Sequence, residues 1–400
     1  MFSRIFLFFT TIMVLGLGCA KKGMLKVGVI LPMTGTEAKF GEMEANAFRM
    51  AVEEINAKGG VKGKKIQLLI EDDTGKPEIA RSVAEKLITR DKVLVIGGGY
   101  SSSCSYAIAG VAERFGVPFV INTGAADTIT KQGWQYIFRI NPPVSEYPKG
   151  MMDFWEQVVH PKSMAILFEN TLFGTSGAKT IKKYCEQKGI KVTDYESYEA
   201  GAVDFKPMLV KVKSHHPDIV YMISYIMDAS LLMRQSKELD FNPKLFCGGA
   251  AGFTMPAFIE NAGDAAEYVV SATLWSPKLK YPGANEFYEK YSKQFGISPD
   301  YHAVEAYAGL YVIVDALKRA RALNPEDIKN ALDTTNMMTP FGPVKFDNYN
   351  GFTHQNNLPT LVVQIINGKF ETIWPREYAS HAYIYPIKPW RERQLPQRLE

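Results

Sequence analysis

The sequence has few cysteines, little excess of charge and none of the common catalytic motifs. None of its four cysteines has zinc-site spacing, so we expect no metal and, among the last three, at most one disulfide: Cys19, Cys104, Cys185 and Cys247. A net charge of +4 over 400 residues argues against nucleic-acid binding. The motifs Gly-x-Ser-x-Gly, Gly-x-x-x-x-Gly-Lys and His-Glu-x-x-His do not occur. We therefore predict a protein that is not an enzyme and uses no cofactor.

Long hydrophobic runs are also lacking, apart from one at the N-terminus. Residues 5–17 are apolar and follow Arg4, but this run is shorter than the roughly 20 residues that span a bilayer. It ends in Leu15-Gly16-Leu17-Gly18-Cys19, which resembles a bacterial lipobox. The resemblance implies that residues 1–19 contain a lipoprotein signal peptide cleaved before Cys19, whose sulfur is lipidated. The mature protein would then be exported and anchored to a membrane. The alternative is an ordinary signal peptide cleaved elsewhere.

The rest of the chain is rich in buried-type residues arranged as alternating strands and helices. Hydrophobic residues make up 46% of the sequence and aromatic residues 12%, which indicates large cores, and the length suggests two domains. Apolar strands at 25–33, 66–72, 93–97 and 117–122 alternate with helical segments, and the pattern restarts at residue 163. This alternation predicts α/β lobes with doubly wound parallel sheets. Ligands of such sheets bind beyond the carboxyl ends of the strands.

One of these strand ends carries a glycine- and serine-rich loop. The strand at 93–97 runs into three glycines and Tyr100, and Ser101, Ser102 and Ser103 precede a small-residue helix. Free backbone N–H groups and the helix dipole make such a helix N-terminus suitable for binding anions. We therefore predict that the loop holds the carboxylate or a similar polar head of a small ligand. Alternatively, the serines only cap the helix.

Several short motifs in a fixed order carry a resemblance to a known family: Lys26-Val-Gly-Val-Ile-Leu-Pro-Met-Thr-Gly35, Phe40-Gly41, Glu54-Ile-Asn-Ala-Lys-Gly-Gly-Val-Lys-Gly63, Phe173-Gly174, Asp204-Phe205 and Phe341-Gly342-Pro343. With them, the chain from about residue 25 to 374 resembles the leucine/isoleucine/valine-type solute-binding proteins of ABC importers. The resemblance implies a type I periplasmic-binding-protein fold, with two doubly wound parallel-sheet lobes joined by three crossing segments.

The resemblance also implies domain boundaries. The crossing segments fall near residues 140–145, 272–277 and 344–347. Lobe one then comprises residues 25–142 plus 275–344, and lobe two residues 143–274 plus 345–390. Residues 391–400 would form a tail.

The resemblance places a ligand site at nine positions: Phe40, Tyr100, Ser101, Ser102, Gly124, Ala126, Phe173, Tyr225 and Ala250. Ser101 matches the serine that holds the ligand carboxylate in amino-acid-binding members. The family's second hydroxyl aligns with Ala126 and is therefore missing, while Gly124 supplies only backbone. Phe40, Phe173 and Tyr225 match aromatic positions of the cleft.

The main departure from the family pattern lies at Ala250, where amino-acid binders have an acid that pairs with the ligand ammonium. An unpaired buried cation costs several kcal/mol. Either the ligand lacks an α-ammonium or another acid serves, with four candidates: Asp127, Glu169, Asp228 and Glu305. In the alternative interpretation, Asp228 caps a helix that begins at residue 229 and Glu305 is a solvated helix residue. We therefore hypothesise that the ligand is a small carboxylate-bearing molecule with an apolar or aromatic body.

The function implied by the resemblance is capture of a small molecule, such as an amino acid or related organic acid, for an ABC importer. The implied partners are the permease and ATPase subunits, and the membrane through Cys19. The same fold also serves in ligand-sensing receptors, so a sensing role without transport is the alternative.

Overall fold

The computed structural model describes residues 23–393. The predicted signal peptide, the lipidation site Cys19 and residues 394–400 of the predicted tail lie outside the described residues. Within the described part, the chain forms two seven-stranded sheets with helices packed on them, and one additional two-stranded ribbon.

The N-terminal part alternates strands and helices as the apolar pattern predicted: β1 (Leu25–Leu31), α1 (Ala38–Ala57), β2 (Ile66–Asp72), α2 (Pro77–Thr89), β3 (Ile96–Gly98), α3 (Ser102–Phe115), β4 (Phe119–Ile121) and β5 (Ile137–Arg139). All five strands pair in parallel, with β1 between β2 and β3, and with β4 between β3 and β5. The sequence pattern did not reveal β5, a strand of only three residues.

The middle part builds the second sheet: α4 (Lys149–Phe154), β6 (Ser163–Glu169), α5 (Leu172–Lys188), β7 (Lys191–Tyr198), α6 (Lys206–Ser214), β8 (Ile219–Ile223), α7 (Ile226–Glu238), β9 (Leu245–Gly248), α8 (Pro256–Ala262) and β10 (Val270–Thr273). These five strands are also mutually parallel. Strands β8, β9 and β10 are buried along their whole length, as expected for central strands covered on both faces.

The C-terminal part contributes to both lobes: α9 (Ala284–Phe295), α10 (Tyr301–Arg319), α11 (Pro325–Asp333), β11 (Asn336–Thr339), β12 (Gly342–Lys345), β13 (Asp347–Tyr349), β14 (Phe352–Gln355), β15 (Leu361–Ile366) and β16 (Lys369–Trp374). Helix α10 packs on α1, β3 and β4 of the first lobe. Strands β15 and β16 form the antiparallel hairpin predicted from Asn367-Gly368, and both turn residues have positive φ angles.

The two sheets have matching strand orders, β13-β14-β5-β4-β3-β1-β2 and β16-β15-β10-β9-β8-β6-β7. The predicted fold class, two α/β lobes built on parallel sheets, is confirmed. In each lobe the late hairpin extends one edge of the sheet, and its outer strand runs antiparallel to its neighbour.

The third crossing between the lobes lies later in the chain than the predicted segment 344–347. Strands β13 and β14 belong to the first sheet, where Gln355 pairs in parallel with Arg139. The predicted start of lobe two at residue 345 is therefore wrong, and the chain reaches the second sheet only with β15, after residues 356–360. The sequence hides these strands because they are short and, in β13, mostly exposed and polar.

Candidate functional site

A small cavity lies between the lobes at the carboxyl ends of the strands. Its walls are formed by ten residues: Tyr100, Ser102, Thr123, Ala125, Tyr147, Phe173, Tyr225, Ala251, Tyr301 and His302. Its volume is about 10 Å³, which is room for about one water molecule. The lobes are therefore closed on one another, and a solute can enter only when they separate.

A row of aromatic rings crosses the cleft. Phe40 stacks on Tyr100 with centroids 4.4 Å apart, and Tyr100 lies 5.5 Å from Tyr225 of the second lobe. Tyr225 in turn stacks on Phe173 at 5.5 Å, with ring planes 16° apart. Three of these four residues line the cavity, while Phe40 supports Tyr100 from behind. The sequence thus identified aromatic residues from both lobes that the structure brings together.

The glycine–serine loop approaches the cleft through backbone conformations that favour glycine. Gly98 and Gly99 have φ angles of 98° and 83°, and a Cβ on Gly98 would lie 2.4 Å from the carbonyl oxygen of Ile30. The chain can therefore turn sharply out of β3 and direct Tyr100 into the cavity.

The two serines that follow have different roles. Ser101 is the N-cap of α3, where its Oγ accepts a hydrogen bond from the N–H of Cys104 at 3.3 Å. Ser101 is not among the residues that line the cavity, whereas Ser102 is. Ser102 Oγ accepts the N–H groups of Ala125 and Ala126 at 3.2 and 3.0 Å.

Three other predicted site residues also lie outside the cavity walls. The N–H of Gly124 donates to the carbonyl of Gly99, Ala126 is engaged with Ser102, and Ala250 donates its N–H to Ser271 Oγ. Their neighbours Ala125 and Ala251 line the cavity instead. After β4 and β9, the residue that lines the cavity is one position away from a predicted one. The difference arises because the segments after these strands are irregular, and their local path decides which residue faces the cleft.

The first two candidate acids are engaged by the chain itself. Asp127 is ion-paired with Lys131 at 3.0 Å and accepts the N–H of Ser145. Glu169 is buried behind the cavity and accepts the N–H of Tyr225 at 3.0 Å, and burial raises its pKa to about 8. Neither belongs to the described residues that line the cavity.

The third candidate, Asp228, accepts the N–H of Gly201 at 3.0 Å, and burial raises its pKa. It lies in the first turn of α7, which begins at Ile226, so the predicted start of this helix at residue 229 was late. Asp228 is likewise outside the ten residues of the cavity wall.

The fourth candidate, Glu305, is completely buried beside a second acid that the sequence did not reveal. It is therefore not a solvated helix residue. Thr123 Oγ1 lies 3.2 Å from Glu305 Oε2 and 2.9 Å from Glu44 Oε1, and Glu44 Oε2 accepts Asn122 Nδ2 at 2.7 Å. The Thr123 hydroxyl has one hydrogen, so at least one of these carboxyl groups must carry a proton to satisfy both contacts.

Burial has the same consequence for both acids. It raises the pKa of Glu44 to about 8, against opposing hydrogen bonds from Asn122 and Thr123. The pKa of Glu305 is raised well above its usual range, first by burial and then by the nearby Glu44. Glu44 and Glu305 thus form a protonated support below Thr123 rather than a free anion at the cavity wall.

Two residues at the start of α10 complete the cavity. Tyr301 Oη accepts the N–H of Ala251 from the second lobe at 3.0 Å, and the His302 ring stacks on Tyr301 with centroids 3.9 Å apart. His302 Nδ1 lies 2.8 Å from Asp300 Oδ2, while Nε2 is buried with no hydrogen-bond partner within residues 23–393. In the sequence, the one feature that could have pointed to Tyr301 and His302 is Asp300, which caps the long apolar helix α10.

Comparison with known proteins agrees with this architecture. The profile of the periplasmic binding protein family matches residues 24–369. The chain belongs to this family. Among curated relatives, the Leu/Ile/Val-binding protein homolog 7 of Brucella suis is 30% identical over 369 residues, covering 88% of this chain and 91% of the relative. This places the protein in the branched-chain amino acid branch of the ABC solute-binding proteins, as predicted.

Solved structures of ABC solute-binding proteins are similar to this chain along most of its length. The leucine-binding protein LivK of Thermotoga maritima has a TM-score of 0.81 and 26% identity, covering 87% of this chain and 97% of its own. LivJ of Streptococcus pneumoniae, in complex with isoleucine, has a TM-score of 0.81 and 25% identity, and the match covers 88% of this chain and 100% of LivJ. A Rhodopseudomonas palustris solute-binding protein, in complex with 3,4-dihydroxybenzoic acid, shares the fold at 24% identity and a TM-score of 0.78. The match covers 92% of this chain and 98% of that protein.

As a family member, the chain is an ABC-transporter solute-binding protein that works outside the cytoplasm. The family and its structural neighbours are binding proteins rather than enzymes. Among the helices of residues 23–393, none combines the length and apolar character needed to cross a membrane. Cys104, Cys185 and Cys247 are buried free thiols, and burial raises the pKa of Cys185 to about 12.

Proposed function

We propose that this periplasmic binding protein captures a small carboxylate-bearing molecule with an apolar or aromatic body and presents it to an ABC permease and its ATPase. The observation that carries the proposal is the polarity of the cavity wall. It offers hydroxyl hydrogens for a ligand to accept, and none of its ten residues is an Asp or a Glu.

Three hydroxyl groups of the wall are already occupied as acceptors. Ser102 Oγ accepts two backbone N–H groups, which uses both of its lone pairs, so its hydrogen is free to donate. Tyr147 Oη accepts Asn141 Nδ2 at 2.9 Å, and Tyr301 Oη accepts the N–H of Ala251 at 3.0 Å. The hydroxyl of Tyr100 is buried and unpartnered in the described part of the chain.

These donors suit a carboxylate, which has about four acceptor positions and no hydrogen to give. An α-ammonium group brings three donors and a charge, and leaving such a charge buried and unpaired costs several kcal/mol. The cavity chemistry therefore disfavours the ammonium of a simple amino acid. The stacked Tyr225 and Phe173 rings supply an apolar wall for the body of the ligand.

The names of the relatives supply the competing ligand class. The Brucella suis relative is a Leu/Ile/Val-binding homologue, and the Streptococcus pneumoniae structure is a complex with isoleucine. Branched-chain amino acids are thus the ligands against which the proposal must be measured.

Matched pairs of compounds isolate the role of the ammonium. Purified protein is titrated with L-leucine and 4-methylpentanoate, which share a carbon skeleton, and with L-phenylalanine and 3-phenylpropanoate. We expect the deaminated member of each pair to bind more tightly in calorimetry. At 100 times its Kd it should stabilise the protein by about 2.7 kcal/mol in thermal unfolding. Preferential binding of L-leucine and L-phenylalanine over their deaminated partners would refute the proposed ligand class.

We further propose that the chain is cleaved before Cys19 and that Cys19 then carries a lipid anchor. The Leu15-Gly16-Leu17-Gly18-Cys19 segment supports this, because small residues precede the cysteine. Cells expressing the protein are labelled with radioactive palmitate. We expect incorporation and membrane retention in the wild type and neither in Cys19→Ala; labelling of that variant would exclude the site.

A further inference from the structure

We infer that His302 is the ionic partner of the ligand carboxylate and binds it as an imidazolium held in place by Asp300. The inference rests on the proposed function, since it adds the charged contact to a cavity that otherwise offers neutral donors. It concerns a residue that the sequence reasoning did not single out.

The imidazole of His302 has one engaged and one unpartnered nitrogen. Its Nδ1 is engaged with Asp300 Oδ2 at 2.8 Å, which leaves Nε2 as the free position. Nε2 is buried and unpartnered within the described chain, and His302 is one of the residues that line the cavity. A buried polar atom without a partner costs free energy, so an unpartnered nitrogen on a residue of the cavity wall marks a place for a ligand atom.

The ring of His302 is held rigidly by its neighbours. His302 stacks on Tyr301 at 3.9 Å and meets the edge of Phe40 at 4.9 Å. Asp300 Oδ1 also accepts the backbone N–H of His302 at 3.0 Å, so the carboxylate caps α10 while its other oxygen contacts the ring. The imidazole is therefore oriented before the ligand arrives, which lowers the entropic cost of binding.

The cavity wall contains no other residue that could carry a positive charge, because its ten residues include neither Lys nor Arg. The buried Arg139 lies nearby in sequence to the cavity segments, but its guanidinium donates to Gln355 Oε1, to the carbonyls of Gly124 and Ala126 and to Thr130 Oγ1. Of the residues that form the wall, His302 alone can therefore carry a positive charge.

The surrounding titratable groups determine the charge balance. Asp300 contacts the ring directly, while the carboxyls of Glu44 and Glu305 are kept protonated by burial, and both lie in the electrostatic range of Asp300. The hydroxyls of Tyr100 and Tyr301 face the same region and stay neutral because burial raises the pKa of each well above its usual range. Asp300 thus balances one positive charge on His302, and an incoming carboxylate favours that charge further.

Asp300 also connects this charge to lobe closure. Thr254 Oγ1 of the second lobe lies 3.2 Å from Asp300 Oδ2, the same oxygen that contacts His302, and 3.0 Å from the carbonyl of Ala251, so its single hydrogen is shared between two acceptors. Closing the lobes therefore brings a hydroxyl donor next to the carboxylate that orients the imidazole. Ligand charge and closure are linked through this oxygen.

The test compares a charged probe with a neutral one. Calorimetric affinities for 3-phenylpropanoate and 3-phenylpropanamide are measured for the wild type, His302→Gln and His215→Gln. The control is matched because His215 Nδ1 also lies 2.8 Å from an aspartate, Asp194, but in the second lobe outside the cavity wall. Circular dichroism confirms that each variant is folded.

We expect His302→Gln to lose roughly ten- to a hundredfold in affinity for 3-phenylpropanoate, the range of a charge-assisted hydrogen bond, and little for the amide. His215→Gln should behave as the wild type. In ¹⁵N-histidine NMR of the wild-type complex, the His302 ring should show both nitrogens protonated.

The outcomes separate the two proposals. If the wild type does not bind 3-phenylpropanoate and prefers the amino acids, the proposed ligand class fails and this inference fails with it. If the wild type binds the acid but His302→Gln keeps that affinity, the inference alone is overturned. A neutral His302 ring in the NMR spectrum of the complex overturns it as well, even if the variant does not fold.

Discussion

Replacing Glu44 by glutamine is expected to stabilise the protein at neutral pH. Glu44 is completely buried, and its pKa is raised from about 4.5 to about 8. Because the folded pKa lies above the unfolded one, this group's contribution to stability is full below about pH 4.5 and is lost as pH rises towards 8. One pKa unit corresponds to about 1.4 kcal/mol, so the wild type should lose on the order of 2 to 3 kcal/mol from this group between about pH 5 and pH 7.

Glutamine has no such dependence and fits the same contacts. Its amide can donate to Thr123 Oγ1 and its carbonyl can accept Asn122 Nδ2, which are the partners of Glu44. We therefore expect Glu44→Gln to match the wild type within about 1 kcal/mol at pH 5 and to exceed it by about 2 to 3 kcal/mol at pH 7. Urea unfolding at several pH values, followed by tryptophan fluorescence, measures the difference.

Glu54→Gln is a matched control on the same helix with the opposite expectation. Burial raises the pKa of Glu54, but hydrogen bonds from Lys290, Tyr307 and Tyr311 outweigh it, and the pKa is lowered. Its contribution is present above the unfolded pKa and lost as pH falls, so Glu54→Gln should destabilise the protein at pH 7. If Glu44→Gln gives the same difference from the wild type at pH 5 and pH 7, the reasoning about a protonated Glu44 is refuted.

Two further substitutions probe the cavity and its framework. Ser102→Ala should weaken 3-phenylpropanoate binding roughly tenfold in calorimetry, because the wall loses one donor; an unchanged Kd would exclude Ser102 from the site. Arg139→Met should lower the free energy of unfolding by about 3 kcal/mol or more in urea, because it leaves the buried carbonyls of Gly124 and Ala126 without their donor. A loss below about 1 kcal/mol would contradict the buried network.

The sequence predicted the fold well where strands were continuously apolar. Segments such as β6 and β8 are buried on both faces, so their composition marks them directly. The hairpin β13–β14 escaped detection because Asp347 and Asn348 are exposed and polar, and only pairing with the distant β5 fixes its lobe. The misplaced third crossing followed from this omission.

The site could be predicted only in part for a related reason. Tyr100, Phe173 and Tyr225 follow strand ends in the chain, so sequence position alone brings them to the cleft. His302 comes from a helix about 200 residues further along than Tyr100, and only the packing of α10 on α1 brings the two rings within 5.7 Å. Which of the two predicted serines lines the cavity depended on which of them caps α3, a difference of one residue that no composition reveals.

The size of the cavity has a kinetic consequence. A space of about 10 Å³ is too small for any organic solute, so a solute is accommodated only when the lobes stand further apart than they do here. Entry and exit both require the lobes to open, so the residence time of a bound solute depends on how often they separate as well as on the contacts that it makes. While the lobes enclose a solute, it is shielded from enzymes and from competing ligands.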